Sequence, residues 1–199
     1  NRLYPLNLKN GVNINFNGFT YTTTKTAITF GDGNIAISCQ LINGSIKSTS
    51  ANLGATGMIY IQNASSKITT NCYFESNCIY TVNNNGTWYG GQVNTLGTTT
   101  SFSGFVNTVN GYCYNIYATA TLGGYAINNS GNLYNCVAIS SSGGATMGAI
   151  GILAGRLVNC IGISSGASGI YWIGAAQAGS FDTENCVSIS TAYWGATYI

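Results

Sequence analysis

Three segments in the second half of the chain repeat one pattern: Leu133-Tyr134-Asn135-Cys136-Val137-Ala138-Ile139-Ser140, Leu157-Val158-Asn159-Cys160-Ile161-Gly162-Ile163-Ser164 and Thr183-Glu184-Asn185-Cys186-Val187-Ser188-Ile189-Ser190. A weaker copy runs through Cys113, Asn115 and Ile116, which sets the four cysteines 23, 24 and 26 residues apart. Self-similarity at such a period is the mark of a solenoid, in which each repeat is one coil stacked on the next.

The residue types choose strands over helices. Val137/Ile139, Ile161/Ile163 and Val187/Ile189 are β-branched pairs at spacing two, with Cys, Ala, Gly and Ser on the other parity and Gly-rich turns after them. Stacked about 4.8 Å apart, equivalent side chains fall into columns. The aliphatic columns are expected inside, with Asn135, Asn159 and Asn185 as a ladder of amides at the bend and Gly143, Gly144, Gly148, Gly151 and Gly166 at corners that need φ > 0. The expectation is an all-β chain with a right-handed parallel β-solenoid over residues 105–199, a β-sandwich head being the alternative. The column of Cys136, Cys160 and Cys186 reads as small buried apolar filler, since no His stands near to activate a thiol. These Asn-Cys-aliphatic strands with Gly-rich turns resemble the GLUG repeat of secreted bacterial and archaeal β-solenoid adhesins, over about residues 105–190. The usual turn of that family is degraded here to Gly148-Ala149-Ile150-Gly151-Ile152 and Ile173-Gly174-Ala175.

The chain start alternates differently. Tyr4, Leu6, Leu8, Val12, Ile14 and Phe16 share one parity, interrupted by Asn10, while Asn7, Lys9, Asn13 and Asn15 hold the other. That is the pattern of a strand buried on one face. Residues 1–19 are therefore expected to form an extended arm that leaves the body and inserts into a neighbouring copy as a donor strand, with residues 20–199 as a β-rich head. Thr20–Thr24, Ile28–Ile37 interrupted by Gly31-Asp32-Gly33, Met58–Ile61 and Ile79–Val82 are expected strands of that head.

Charge narrows the function classes. Only 5% of the residues are charged, and the six cations are scattered. Nucleic-acid binding needs clustered Lys and Arg, so it is set aside. No apolar run is long enough to span a bilayer. Asn43, Asn63, Asn85 and Asn128 begin glycosylation sequons, which makes N-linked glycans and an extracellular location the expectation; a first residue of Asn suggests a processed mature chain. Seven cysteines leave at least one unpaired, and Cys72 with Cys78 is the candidate disulfide. Without His or a Cys-x-x-Cys pair, no metal site and no cofactor are expected.

The composition rich in Asn, Tyr, Thr, Ser, Gly and Ile, with several sequons, cysteines and an alternating arm, resembles the thread-filament subunits of thermoacidophilic archaea. The resemblance implies a cell-surface, pilus-like glycoprotein that polymerises head to tail by donor-strand complementation, with isopeptide links between copies. Lys9 and Lys25 are the cations placed for such a link, which requires a desolvated lysine. Two other readings compete: a monomeric glycan-binding adhesin whose terminal strand folds back as a cap, and a polysaccharide-active enzyme using Asp182 and Glu184, expected about 7 Å apart on one strand face. A structural, non-enzymatic subunit is the leading expectation. Thr-rich runs such as Thr98–Thr100 are read as strand propensity rather than as a flat ice- or carbohydrate-binding face, and Trp88, Trp172 and Trp194 as core or interface residues rather than as sugar-stacking platforms.

Overall fold

The computed structural model describes residues 6–24, 28–30, 36–49, 57–97, 103–121, 124–141, 148–166, 169–172, 181–191 and 197–198; Tyr4 and Lys25 lie outside them. The described residues contain no helix and wind into a parallel β-solenoid of three sheets. The first sheet stacks β1 (Leu6–Leu8), β4 (Ile28–Phe30), β7 (Ile59–Ile61), β10 (Tyr80–Asn84), β13 (Ser103–Asn107), β16 (Tyr125–Asn129), β19 (Ile150–Ile152) and β22 (Ile170–Trp172). The second stacks β2 (Ile14–Asn15), β5 (Ser38–Ile42), β8 (Lys67–Thr70), β11 (Thr87–Tyr89), β14 (Tyr112–Tyr114), β17 (Asn132–Tyr134), β20 (Gly155–Val158) and β23 (Phe181–Glu184). The third stacks β3 (Thr20–Thr23), β6 (Ser45–Ser48), β9 (Tyr73–Ser76), β12 (Gln92–Thr95), β15 (Tyr117–Ala120), β18 (Val137–Ser140), β21 (Ile161–Ser164) and β24 (Val187–Ser190), with β25 (Thr197–Tyr198) added antiparallel to β24.

The solenoid therefore runs through both halves of the chain, and the expected extended arm is replaced by its first rung. Leu6, Asn7 and Leu8 pair in parallel with Ile28, Thr29 and Phe30, Ile14 and Asn15 with Leu41 and Ile42, and Thr20 onward with Ser45 onward. Asn10-Gly11 and Asn17-Gly18 are the two turns of this rung, with Gly11, Asn17 and Gly18 at φ 78, 50 and 84. Leu8 is buried and Ile14 and Phe16 pack against the core, whereas Val12, expected in the buried row, is exposed.

The repeat is present, with two corrections. Asn115 aligns with Asn135, Asn159 and Asn185, all at φ between 53 and 57, but the place after it is taken by Ile116. Val137 N donates to Ile116 O just as Ile161 N donates to Cys136 O and Val187 N to Cys160 O. Cys113 belongs instead to the inner column of the second sheet, beside Leu133. The second correction concerns the third sheet, where the expected faces are exchanged. Ala138, Gly162 and Ser188 point in, with Cys136, Cys160 and Cys186 buried beside them, while the β-branched pairs point out. The interior is narrow there: a Cβ on Gly162 would run into the backbone of Gly169 across the core. Gly143 and Gly144 lie outside the described residues, and Gly148, Gly151 and Gly166 are not at positive φ; the left-handed positions belong to the asparagines and to other glycines, Gly57, Gly90, Gly91, Gly124 and Gly155 among them.

Large side chains fill the middle rungs. Trp88 lies edge-on between Phe74 and Phe105, with centroids 5.5 and 5.7 Å away, and its Nε1 donates to Gly90 O at 2.7 Å. Along the inner edge of the first sheet Asn84, Asn107 and Asn129 are fully buried. Asn84 Nδ2 donates to Asn107 Oδ1 at 3.0 Å, Asn107 Nδ2 to Asn129 Oδ1 at 2.8 Å, and Asn129 Nδ2 to Gly131 O at 2.9 Å. A buried amide costs stability unless paired, and the in-register stack pairs each one with the next.

Candidate functional site

Two outer faces carry the features that a body of this kind can use. The third sheet divides along its length. On its early rungs Lys47 Nζ lies 3.1 Å from Glu75 Oε1, Asn94 Nδ2 donates to Glu75 Oε2 at 3.1 Å and Thr119 Oγ1 to Asn94 Oδ1 at 2.6 Å, with the Tyr73 hydroxyl also on Glu75. Burial alone would raise the Glu75 carboxyl, but hydrogen bonds from Tyr73, Lys47 and Asn94 outweigh it and hold the group below its usual range. Tyr73 is pushed up to about 12 by burial and by its bond to the carboxylate. On the later rungs the same two columns become aliphatic: Val137, Ile161 and Val187 in one, Ile139, Ile163 and Ile189 in the other. These six are partly exposed, Ile161 most among the isoleucines.

The second sheet carries a tyrosine column. Tyr89, Tyr114 and Tyr134 occupy one register position on consecutive rungs, and both neighbouring pairs stack at 4.8 Å between centroids, with interplanar angles of 14° and 9°. Each is followed by the corner residue, Gly90, Asn115 or Asn135, and that Tyr-before-corner placement is the signal by which the sequence could have disclosed the column. Because the rings face one another, they show edges and hydroxyls to water. Tyr112 and Tyr117 stand apart from the stack and are 43% and 42% exposed.

The residues singled out from the sequence are not gathered at one place. Asp182 and Glu184 share the outer face of β23, and Arg156 on the neighbouring rung binds both, with Nε 3.0 Å from Asp182 Oδ2 and Nη2 2.8 Å from Glu184 Oε2. Both carboxylates are open to solvent, whereas an acid/base pair for glycosyl transfer needs one carboxyl in an apolar setting. Lys9 is exposed and so lacks the desolvation that a nucleophilic amine requires. Asn43 is exposed at a corner, with Oδ1 accepting from Asn71 Nδ2 at 3.2 Å, and Asn63 caps a turn through Ser65 N at 2.8 Å. Asn85 spends its Nδ2 on Gln62 O at 2.8 Å, and Asn128 lies within β16 on the outer side of the first sheet.

All seven cysteines are free and buried, so the expected Cys72–Cys78 bridge is not formed. Cys72 fills the corner between the second and third sheets, and Cys78 lies past the end of β9, its Sγ donating to Ser48 Oγ at 3.6 Å. Burial pushes Cys39 up to about 12; the neighbouring Cys136 thiol, together with burial, does the same to Cys160. Among the described residues no group of three or more Cys, Asp or Glu side chains is placed to hold a metal ion, and no helix is long and apolar enough to cross a membrane. Compared with known proteins, the chain matches no family model, no curated protein and no solved structure.

Proposed function

We propose that the protein is a structural subunit of an extracellular surface filament, built from copies of itself, in which the aliphatic half of the third sheet is the lateral contact. The observation that carries this reading is the exchange of faces on β18, β21 and β24: three consecutive rungs place small residues inside and Val or Ile outside, in two straight columns. A flat sheet with aliphatic columns at the strand spacing meets an identical sheet by interdigitation. With six cations and four anions in 199 residues, like-charge repulsion does little to keep copies apart. A face that pairs with itself closes into a two-fold dimer, so extension into a fibre takes a second, head-to-tail contact. Donor-strand exchange is not the mode supported, because residues 6–23 complete their own body. The sequons support a glycosylated, secreted setting.

The test is sedimentation and negative-stain imaging of the protein beside the double variant Ile161→Lys, Ile163→Lys. Wild-type protein should associate with rising concentration, and the variant should stay monomeric with an unchanged far-UV spectrum. Wild-type protein that remains a single particle throughout would overturn the reading. The adhesin reading is favoured by one observation, the unstacked and exposed Tyr112 and Tyr117 on the early outer faces, which suit contact with a sugar ring. Loss of binding to a glycan panel on replacing both with alanine would establish that reading instead.

A further inference from the structure

The tyrosine column on the second sheet has no role in the contact proposed above, and its geometry is that of a reactive pair held twice over. Tyr114 stacks on Tyr89 on one side and on Tyr134 on the other, each at 4.8 Å and within 14° of parallel. The three share one register position of β11, β14 and β17, so the backbone ladder fixes their spacing. Phenoxyl radicals couple through their π faces at the ortho carbons, and approach of two rings face to face is the step that diffusion must otherwise supply. Here it is already made, on an outer face where an oxidant can reach the ring edges; Tyr89 is 38% exposed.

We infer that Tyr89, Tyr114 and Tyr134 form an oxidative cross-linking site, at which a peroxidase consuming hydrogen peroxide joins Tyr114 to the ring above or below it as dityrosine. Each of two phenols gives up one electron and one proton, and hydrogen peroxide is reduced to two waters. The two radicals form one carbon–carbon bond between ortho positions, and the two ring hydrogens at those positions pass to the phenolic oxygens through solvent, restoring both hydroxyls. The product has lost two hydrogens and staples consecutive rungs. Burial and the adjoining phenols raise the Tyr114 hydroxyl above its ordinary value, so oxidation of Tyr114 at neutral pH removes a hydrogen atom from a neutral phenol. The inference stands on the ladder geometry alone and does not require that the protein be a filament subunit.

The experiment treats the full chain with horseradish-type peroxidase and hydrogen peroxide, isolates the monomer fraction, and reads dityrosine fluorescence, intact mass and the linked peptides. Monomer is expected to lose two hydrogens, with the link mapped to Tyr89–Tyr114 or Tyr114–Tyr134. Tyr114→Phe keeps a ring in the stack and leaves Tyr89 and Tyr134 two rungs, about 10 Å, apart; its intramolecular yield should fall at least tenfold. Tyr112→Phe and Tyr117→Phe should stay within twofold of wild type. Links mapped to other tyrosines, full yield in Tyr114→Phe, or no link in wild type under conditions that couple free tyrosine would each overturn the assignment.

Discussion

At the corner between the second and third sheets the chain passes through the left-handed region, and asparagine supplies that conformation at positions 17, 43, 115, 135, 159 and 185, with Gly18 beside Asn17 and the pair Gly90-Gly91 between β11 and β12. Asparagine bears that conformation at lower cost than other side chains with a Cβ. It also closes the ladder, since Asn159 Nδ2 donates to Asn135 Oδ1 at 3.1 Å and Asn135 Nδ2 approaches Asn115 Oδ1 at 3.4 Å. Asn159→Ala should therefore cost about 1–2 kcal/mol in urea unfolding, the strain of an alanine at positive φ, whereas Asn159→Gly should retain most of the stability because glycine adopts that φ freely. The reverse order would show that the amide ladder outweighs the backbone. This ladder was legible at Asn135, Asn159 and Asn185, each of which stands beside a cysteine at a repeating interval. The buried ladder of Asn84, Asn107 and Asn129 was not: Asn84-x-Gly86 and Asn129-x-Gly131 read locally as surface turns. Only the stacking shows that Gly86 N and Gly131 N reach back to those side chains inside the core.

A strand of period two has two faces, and the pattern alone does not say which is inside. In β18, β21 and β24 the aliphatic parity looked like the core, yet Cys136, Cys160 and Cys186 precede them on the opposite parity, and cysteine is among the residues most often fully buried. The cysteine was the better witness. The strands themselves were readable where β-branched residues cluster, as in β4, β7, β10 and the repeats. Polar strands such as β5, β8 and β9 were not, because Ser38, Gln40, Lys67, Thr69 and Glu75 take outer positions there and strand identity comes from stacking on both neighbours. On the early outer face of the third sheet, the depressed Glu75 carboxyl ties stability to pH. A group whose folded pKa lies below its usual 4.5 adds stability that is present above that value and lost as pH falls through the folded pKa. Acid unfolding of wild type should thus be steeper below about pH 4 than that of Glu75→Gln, by less than about 1 kcal/mol because Lys47 and Glu75 are partly solvated. Equal acid slopes would remove Glu75 from the linkage. Tyr73, raised in the folded state to about 12, contributes in the other direction, with stability present below its usual 10 and lost as pH passes 12.

Stacked coils give a molecule whose stability is close to a sum over rungs and their interfaces, so each terminal rung is worth its own burial and the cover it lends the next. Recognition of the first rung from sequence failed for a definite reason. Asn10-Gly11 is a turn dipeptide inside what looked like one alternating strand and Asn17-Gly18 is the turn that ends it, and the two strands between, of three and two residues, keep the parity of a single long one. Folded back, residues 6–23 cover Leu41 and Ile46 of the second rung, which are fully buried. Leu8 is buried and Ile14 and Phe16 are partly so, which gives gross burial of about 3–5 kcal/mol before the entropy of ordering the segment is subtracted. Deleting residues 1–18 should accordingly lower the stability of the monomer by about 1–3 kcal/mol, with a smaller denaturant slope because less surface is exposed on unfolding. The deletion should leave lateral association through Ile161 and Ile163 in place, since that face lies on the far rungs. A synthetic peptide of residues 1–18 added back should restore the melting temperature in a saturable way, by binding the vacated edge of the second rung. Unchanged monomer stability after the deletion, with loss of all higher-order assembly, would instead identify the segment as a strand donated between copies.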